Sequence, residues 1–332
     1  MTEQPTLSRR RLLGAGAVVG AGALVGAAPA AASATASTTQ AKAARAKTTP
    51  FSNITGKALL PPKRIGLMLY TVRDQIESLG FARVFETIAG MGYNAVEFAG
   101  YSQGTGPVAP KKLRRLLDAN GLTPVGAHGN LDDAAIAAAV DLNMPYTGIA
   151  FEIPSGTDTA AWERLAADYN AFGRRAAKHG VIGYLHPHGP AFAPVSDNPD
   201  KRGLDILLEQ TDPKVFAFEM DIFWAYYFTN VFPGYDPIDW IRSHRSRFPL
   251  FHAKDGIHSL GDKVANLPRD TGAVDHRDVG QGTIPFEKFF SALRRRKRSW
   301  YLNERDNAAE HPQGSFCSAQ ASYLFMRHGL RR

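Results

Sequence analysis

The sequence contains very little cysteine, since Cys317 is the only one in 332 residues. A single thiol excludes an internal disulfide, so burial of apolar groups has to stabilise the fold. After the N-terminal segment there is no apolar run of about eighteen residues, which excludes a membrane-spanning helix in the body of the chain. The first predicted strand leads into "LMLYTVRD", which lacks the glycine-rich loop that holds phosphates in dinucleotide-binding proteins.

Positive charge is in modest excess, but its arrangement does not indicate nucleic-acid binding. The formal net charge is +8, and much of the excess lies in "RRRKR" at 294–298 and in the last two arginines. A run of like charges is usually a solvated helix face, and no aromatic residue is interleaved with this one. We therefore expect no nucleic-acid partner.

The N-terminal segment has the composition of an export signal. "SRRRLL" at 8–13 is typical of a twin-arginine signal, and a short run of Ala, Gly, Val and Leu with small residues suited to cleavage follows it. We predict a signal peptide over 1–34, a flexible linker over 35–61 and a catalytic domain over 62–332. An uncleaved N-terminal anchor is the alternative.

The predicted signal has a consequence for location. It implies export in folded form to the periplasm or the exterior, with no stable membrane anchor. Because this route carries proteins that are already folded, a metal ion can be bound in the cytoplasm before competing ions are met outside.

One pattern recurs along the chain: an amphipathic helix ends near a glycine, and a short apolar strand follows. It occurs at 82–100, 111–129 and 161–189. Eight strands are predicted, at 64–70, 94–99, 123–128, 147–152, 182–186, 215–221, 248–253 and 299–304. Eight strands alternating with helices over roughly 270 residues predict an α/β fold of the (β/α)8 TIM-barrel type. A doubly wound open sheet is the competing fold.

The predicted strands end in polar residues. These are Glu97, His128, Glu152, His186, His188, Glu219, Asp221, His252, Lys254, Asp255, Glu304 and Asp306. In such a barrel the carboxyl ends of the strands meet at one mouth, where the chemistry takes place. Buried charges are costly unless they are paired or bind a metal, so this convergence predicts a divalent cation. Carboxylates with one or two imidazoles suit Mn²⁺, Co²⁺, Zn²⁺ or Fe²⁺ better than Ca²⁺.

Several of these residues also have a purely structural interpretation. Glu97 and Glu152 are the type of residue that forms hydrogen bonds in loops, His128 could be a satisfied core histidine, and Asp255 could cap a loop. His179 precedes a glycine at a helix end, where a cation suits the helix dipole. The remaining histidines, which we expect on the surface or in loops, are His244, His258, His276 and His311.

Seven motifs together resemble a known family. In chain order they are "IGLMLYTVRD", "GYNAVEFAG", "YLHPHG", "FAFEMDIFW", "FHAKDG", "VGQGTIPF" and "NERD". They resemble the xylose-isomerase-like TIM barrels known as sugar phosphate isomerases/epimerases, over residues 62–328. The resemblance implies one divalent metal, often manganese, held by a glutamate, an aspartate, a histidine and a second glutamate from four late strands.

The last three of these ligands match Asp221, His252 and Glu304 by motif and order. The first does not, because "LHPH" stands where many epimerases have a glutamate followed by proline. We expect His186 to replace that carboxylate, with His188 as the nearby alternative. Mn²⁺ is the expected ion, and Zn²⁺, Co²⁺ and Fe²⁺ remain open.

The function implied by the resemblance is that of a metal-dependent isomerase or epimerase acting on a sugar or keto-sugar. Such enzymes remove a proton α to a carbonyl and stabilise an enediolate at the metal. We expect Glu304 as the base, with His188 and Lys254 as further catalytic groups. The residues expected to contact the carbohydrate are Tyr70, Glu97, His128, Glu152 and Trp224.

Other functions remain open at this stage. A lyase or dehydratase acting on a keto-sugar or a 3-keto-glycoside would form the same enediolate and then expel a leaving group. A non-catalytic sugar-binding barrel and a related metal barrel that cuts DNA at abasic sites are the alternatives from other classes. The expected partner is a small, unphosphorylated carbohydrate, and homo-oligomerisation is left open.

Overall fold

The computed structural model describes residues 55–100, 108–150, 154–232, 234–257, 275–292 and 298–331. The predicted signal peptide, most of the predicted linker, Glu152, His258 and residues 294–297 of the basic run lie outside these ranges.

Twelve strands are described. They are β1 (Ile65–Met68), β2 (Ala95–Phe98), β3 (Thr123–Ala127), β4 (Tyr146–Ala150), β5 (Ile182–His186), β6 (Pro194–Val195), β7 (Asn198–Arg202), β8 (Phe216–Asp221), β9 (Leu250–Ala253), β10 (Asp255–Ile257), β11 (Asp275–Arg277) and β12 (Trp300–Asn303). Eight of them correspond to the eight predicted strands, and each boundary agrees to within about two residues, the usual uncertainty of such assignments.

These eight strands form one parallel sheet in the order β3-β2-β1-β12-β9-β8-β5-β4. The two outer strands of that order meet through a parallel bridge between His128 and Gly148, and Gly129 N donates to Gly148 O at 2.7 Å. The sheet therefore closes almost completely into a barrel with helices alternating along the chain, which confirms the predicted TIM-barrel fold. The other four strands form two antiparallel hairpins, β6–β7 and β10–β11, which were not predicted.

Helices surround the barrel. They are α1 (Arg73–Met91), α2 (Pro110–Ala119), α3 (Asp133–Leu142), α4 (Thr159–Ala177), α5 (Gly189–Phe192), α6 (Gly203–Gln210), α7 (Ile222–Val231), α8 (Pro237–Ser243), α9 (Phe286–Ala292) and α10 (Ser315–Leu324). Their apolar stripes lie as the sequence predicts, since Val84, Phe85 and Ile88 of α1 are fully buried. Within the described ranges, no helix has the length and apolar character needed to cross a membrane.

Aspartates begin four of these helices, α3, α4, α7 and α8, and the first two show the effect. Asp132 accepts a hydrogen bond from Ala135 N at 2.8 Å, and Asp158 accepts one from Ala161 N at 2.9 Å. Each carboxylate satisfies an amide at a helix start that has no partner within the helix, so both turns from strand to helix are fixed locally.

Close approach of β4 and β5 depends on one glycine. A Cβ placed on Gly148 would lie 1.8 Å from Tyr184 O, a distance that no side chain tolerates. The strands therefore approach closely at the point where the barrel closes, and they bring Tyr184 and His186 to its interior.

The packed part of the chain includes the last residues of the predicted linker. Ala58 forms an antiparallel bridge with Arg331, and Leu59 N donates to Leu330 O at 3.2 Å. Leu60 is 2 % exposed. Residues 58–60 are therefore held on the C-terminal segment, ahead of the predicted domain boundary at 62.

Candidate metal centre

The carboxyl ends of the barrel strands surround a cavity of about 630 Å³. Because side chains alternate along a strand, Glu219 and Asp221 of β8 both point into the barrel, and both are fully buried. The neighbouring strands contribute His186 from β5, His252 from β9 and Glu304 from the residue after β12. These five polar side chains, all predicted at strand ends, thus meet inside the barrel.

Four of these side chains form a compact group. His186, Asp221, His252 and Glu304 each offer one ligand atom, and these atoms all lie within 4.8 Å of one another. His186 Nε2 is 3.5 Å from Asp221 Oδ2, and His252 Nδ1 is 2.8 Å from Glu304 Oε2. Of the two histidines left open by the sequence, His186 belongs to this group, whereas His188 lines the cavity beside it.

One buried oxygen tests whether this group fits a metal ion. Asp221 Oδ1 accepts a hydrogen bond from Trp224 N at 3.1 Å, because Asp221 is also the first residue of the turn into α7. Asp221 Oδ2 is buried and accepts no hydrogen bond from any described residue. A buried carboxylate oxygen without a donor is costly. A divalent cation among two imidazole nitrogens and two carboxylate oxygens would satisfy it, so the residues fit the predicted ion.

The carboxylates of the site attract positive charge. Burial and neighbouring His252 oppose protonation of His186, yet the nearby carboxylates of Asp221 and Glu219 raise the pKa of this imidazole to about 9. The pKa of His252 is also raised well above its usual range: burial opposes this, but the carboxylates of Glu219, Glu304 and Glu97 more than offset it. A divalent metal ion would neutralise these carboxylates in place of the protons on the two imidazoles.

Glu219 is a central residue of the cluster, which the sequence analysis placed among the polar strand ends but not among the expected ligands or carbohydrate contacts. Its Oε2 lies 3.0 Å from His186 Nδ1 and 3.1 Å from His128 Nε2. Burial opposes ionisation, but the three surrounding histidines hold the pKa of Glu219 well below its usual range. The available signal was its position two residues before Asp221, which places both carboxylates on one face of β8.

Lys254 is a buried cation at the edge of the group. It is 1 % exposed, and its Nζ lies 2.7 Å from Asp306 Oδ1 and 3.3 Å from Glu304 Oε2. Burial opposes its charge, but Asp306, Glu304 and Asp221 raise the pKa of Lys254 above its usual range. In return, Lys254 and His252 hold the pKa of Glu304 well below its usual range against the effect of burial. Glu304 is thus an ionised carboxylate.

His188 and Trp224 form one wall of the cavity. The two ring centres are 5.1 Å apart, and Lys254 Nζ lies 5.5 Å from the Trp224 ring centre. Burial lowers the pKa of His188 well below its usual range, and the nearby His186 and Lys254 act in the same direction. The His188 imidazole is therefore neutral.

Three of the expected carbohydrate contacts, Tyr70, His128 and Trp224, line the cavity, whereas Glu97 does not and Glu152 lies outside the described residues. Tyr70 lines its rim, is 39 % exposed and is covered by the Arg73 guanidinium 3.9 Å from its ring centre. His128 also lines the cavity. Glu97, expected to contact substrate, is instead fully buried beneath the group: its Oε1 accepts a hydrogen bond from the Tyr184 hydroxyl, and its Oε2 lies 2.5 Å from His252 Nε2. It occupies the third position of the four-residue strand β2, one layer below the mouth.

The expectation for His276 was wrong. It is not a surface residue: it is 8 % exposed, lies on β11 and lines the cavity. Its Nε2 is 3.3 Å from Asp306 Oδ2. The hairpin β10–β11 that carries His276 consists of three-residue strands, which are too short for a periodic pattern to reveal.

Asp255 has the structural role that was left open for it. Its carboxylate accepts hydrogen bonds from the backbone N–H groups of Gly256, Gly280 and Gly282 at 2.8–3.0 Å. Asp255 therefore fixes the loop that follows the hairpin and does not join the ligand group.

Comparison with known proteins identifies the fold family. The family model described as "Xylose isomerase-like TIM barrel" matches residues 85–316. No curated protein sequence matches the chain.

Three solved structures illustrate the similarity. A sugar phosphate isomerase/epimerase from Parabacteroides distasonis ATCC 8503 is 18% identical with a TM-score of 0.62, and the match covers 85% of this chain and 97% of that one. An IOLI protein with a bound zinc atom is 12% identical with a TM-score of 0.60, over 80% and 99% of the two chains. A D-tagatose 3-epimerase-like protein is 15% identical with a TM-score of 0.55, over 80% and 98%. At these identities the likeness shows the fold alone.

Proposed function

Because the chain belongs to the xylose isomerase-like TIM barrel family, we propose that it is a metal-dependent isomerase or epimerase of a sugar or keto-sugar. The observation that carries the proposal is the convergence of His186, Asp221, His252 and Glu304 at the cavity, where the buried Asp221 Oδ2 accepts no hydrogen bond. The solved structures named sugar phosphate isomerase/epimerase and D-tagatose 3-epimerase-like share this fold and support the same reaction class.

One divalent ion is proposed for the site, with Mn²⁺ first and Zn²⁺, Co²⁺ or Fe²⁺ as the other candidates. When bound, such an ion supplies a Lewis acid that polarises a substrate carbonyl. Two imidazoles in the donor set favour Zn²⁺ more than an all-oxygen set would, and one neighbour with this fold holds zinc.

The protein's own groups account for the proton transfer. Glu304 is buried and ionised, and it reaches the cavity, so we assign it as the base that removes the proton α to the carbonyl. The Lys254 ammonium, 3.3 Å from Glu304, is placed to donate a hydrogen bond to the oxygen on which negative charge develops. The neutral His188 on the cavity wall is assigned as the second proton-transfer group.

The shape and lining of the cavity favour a carbohydrate. Trp224 and Tyr70 offer aromatic surface, while His128 and Lys254 offer hydrogen-bonding groups. A volume of about 630 Å³ lies in the range of small-molecule sites, which is roughly 300–1,000 Å³. Because the sequence has no phosphate loop after its first strand, we propose an unphosphorylated sugar as the substrate.

A lyase or dehydratase acting on a keto-sugar or 3-keto-glycoside is the second candidate. The observation that favours it is the histidine pair His186 and His188, whose ring centres are 4.8 Å apart beside the cavity. In this reaction Glu304 would remove the α-proton, and the departing oxygen would be protonated through His188, whose neutral imidazole takes up a proton at one nitrogen as it gives one up from the other. A non-catalytic sugar-binding barrel is the remaining alternative.

Isotope exchange tests the proposal and separates the candidates. Metal-loaded protein is incubated with keto-sugars in deuterated water, and recovered substrate and product are analysed by mass spectrometry and NMR. Deuterium at the α-carbon of substrate or epimer, without loss of water or aglycone, supports epimerisation; elimination products support the lyase. No exchange with any keto-sugar, or full exchange after chelation of the metal, contradicts the proposal.

Two variants complete this test. Glu304→Gln keeps the shape of the base but should lower turnover by about 10²–10⁴-fold. Glu209→Gln is the matched control, because Glu209 pairs with Lys201 on the exposed face of α6. If Glu304→Gln binds sugar as tightly as the native protein and the native protein turns nothing over, the binding-only function is supported instead.

We also propose that the protein is exported in folded form by the twin-arginine pathway to the periplasm or the exterior. The support is the "SRRRLL" stretch at 8–13. Replacing Arg9 and Arg10 together by lysine should retain the protein in the cytoplasm with an unshortened chain, as judged by cell fractionation and mass spectrometry. Unchanged export of that variant would contradict the proposal.

A further inference from the structure

The candidate ligand histidines each face two sets of carboxylates, one at the cavity and one beneath it. On the cavity side, His186 Nε2 lies near Asp221 and His252 Nδ1 lies near Glu304. On the inner side, His186 Nδ1 lies 3.0 Å from Glu219 Oε2, and His252 Nε2 lies 2.5 Å from Glu97 Oε2. In each imidazole, one nitrogen therefore contacts a carboxylate on the cavity side, and the other nitrogen contacts a carboxylate on the inner side.

A neutral imidazole has one N–H and one lone pair, and a carboxylate only accepts hydrogen bonds. If the lower carboxylates accept the N–H groups, the lone pairs are left on the cavity side. We propose that Glu219 and Glu97 are the positioning residues of the metal centre: they fix His186 to bind the ion through Nε2 and His252 to bind it through Nδ1. The inference rests on the proposed function, because it presupposes the metal centre.

The lower carboxylates are themselves held in place. The Tyr184 hydroxyl donates to Glu97 Oε1 at 2.5 Å, and His128 Nε2 lies 3.1 Å from Glu219 Oε2. Both carboxylates are fully buried, and both lie on barrel strands, Glu97 on β2 and Glu219 on β8. A rigid acceptor beneath a ligand histidine orients the ring and increases its basicity toward the metal.

His252 Nε2 lies near both lower carboxylates, and the two contacts differ in length and geometry. Glu219 Oε1 lies 3.1 Å from His252 Nε2, but it accepts no hydrogen bond there with good geometry. The shorter contact of His252 Nε2 is with Glu97 Oε2, at 2.5 Å. Glu219 therefore positions His186, and Glu97 positions His252.

This arrangement also explains how His186 is tolerated as a ligand. A carboxylate in its place would bring a negative charge to the ion, and the histidine does not. Glu219 lies directly beneath His186 and supplies that charge one layer below, without competing for the metal. An ion at this site would have two nitrogen and two oxygen ligands, and the Glu219 carboxylate beneath His186 would add a further negative charge nearby.

An alternative use of the same residues is a second metal site. His128, His186, Glu219 and His252 also present ligand atoms within 4.8 Å of one another. Occupying both sites together would require His186 and His252 to bind one ion through each nitrogen. The short contacts of Glu219 and Glu97 with these rings suit hydrogen bonds, so we assign the lower residues to positioning.

The first measurement uses the native protein and Zn²⁺ alone. In protein with ¹⁵N-labelled histidine, long-range ¹H–¹⁵N correlation spectra distinguish the zinc-bound nitrogen of each ring from the protonated one. We expect two zinc-bound histidines, one bound through Nε2 with N–H at Nδ1 and one with the opposite arrangement. Two rings bound through the same type of nitrogen would overturn the inference. Because the measurement uses only the native protein, its result does not depend on whether any variant folds.

The second measurement is the Zn²⁺ affinity, determined by competition with a chromogenic chelator. Glu219→Gln and Glu97→Gln should each weaken Zn²⁺ binding by about 10–100-fold, the usual effect of removing such an acceptor. Glu209→Gln makes the same chemical change on the exposed α6 and should leave the affinity unchanged. Native affinity in both buried variants would overturn the inference.

A third variant separates this inference from the proposed function. Asp221→Asn removes the ligand whose Oδ2 has no donor, and it should abolish stoichiometric Zn²⁺ binding. If native protein binds no Zn²⁺, or if Asp221→Asn binds it as the native protein does, the metal centre itself is disproved. If Asp221→Asn loses the ion while Glu219→Gln and Glu97→Gln keep it with native affinity, only the positioning role is disproved.

Discussion

The ammonium group of Lys254 lies 3.3 Å from Glu304 Oε2, and both side chains are buried at the mouth of the barrel. This contact joins the one buried lysine described at the cavity to the proposed catalytic base. Asp306 completes the arrangement on the far side of the ammonium group at 2.7 Å. The position of Glu304 relative to a substrate therefore depends on a cation carried by the residue directly after β9.

Replacement of Lys254 by methionine should affect both catalysis and stability. Turnover should fall by about 10²–10³-fold, because one donor to the developing oxyanion is lost. Metal-free protein should also become less stable, because the buried Glu304 loses its contact with the ammonium group and the partly exposed Asp306 loses its nearest cation. Steady-state kinetics and urea denaturation measure the two effects. Lys201→Met, on the surface, is the control, and equal behaviour of both variants would contradict the role of Lys254.

Stability of the metal-free protein should depend on pH through His186. Its pKa is raised from 6.5 to about 9 in the folded protein. Folding thus favours the protonated imidazole. The contribution of His186 to the free energy of unfolding is therefore fully present below pH 6.5 and is lost as the pH rises through about 9. Denaturant unfolding in the presence of a chelator should show this loss between these two values.

Zn²⁺ should remove that dependence. A metal ligand has to be unprotonated, so the affinity for Zn²⁺ should rise over the same pH interval, and the saturated protein should not lose stability there. If the free energy of unfolding of the metal-free protein is constant from about pH 6 to about pH 9.5, the raised pKa of His186 is contradicted.

His276→Ala tests the contribution of the unpredicted hairpin. Because His276 lines the cavity and contacts Asp306, its loss should raise KM for the carbohydrate more than it lowers kcat. Zn²⁺ affinity should change little, since His276 is outside the ligand group. His311→Ala is the control on a partly exposed loop. A variant with native KM would show that the hairpin does not contact the substrate.

Gly148→Ala should disturb barrel closure. The added Cβ would collide with Tyr184 O, a backbone atom that cannot rotate away. We expect a loss of about 1–3 kcal/mol or more in the free energy of unfolding, measured by urea denaturation. Gly90→Ala is the matched control, because nothing lies within 4 Å of a Cβ at that position on α1. Equal stability of the two variants would contradict the close approach of β4 and β5.

The barrel could be predicted because its signals are local. Helix stripes such as Val84, Phe85 and Ile88 follow from a period of 3.6, and a glycine shortly after α1, α2 and α4 precedes the next strand. The polar strand ends could be located in the same way, since Asp221, His252 and Glu304 each close an apolar run. The hairpin β10–β11 could not, because its strands have three residues and their partners are set by the barrel mouth.

The sequence by itself determined the eight strands of the barrel, the polar residues that end them and the faces those residues share, because alternation along a strand requires no knowledge of its neighbours. The tertiary structure decided the depth at which each side chain lies and which nitrogen of each imidazole faces which carboxylate. Glu97 and Glu219 belong to the layer beneath the ligands, and His276 belongs to the cavity wall, for the same physical reason. Strand register and barrel closure set distances between residues far apart in the chain, and no local pattern contains those distances.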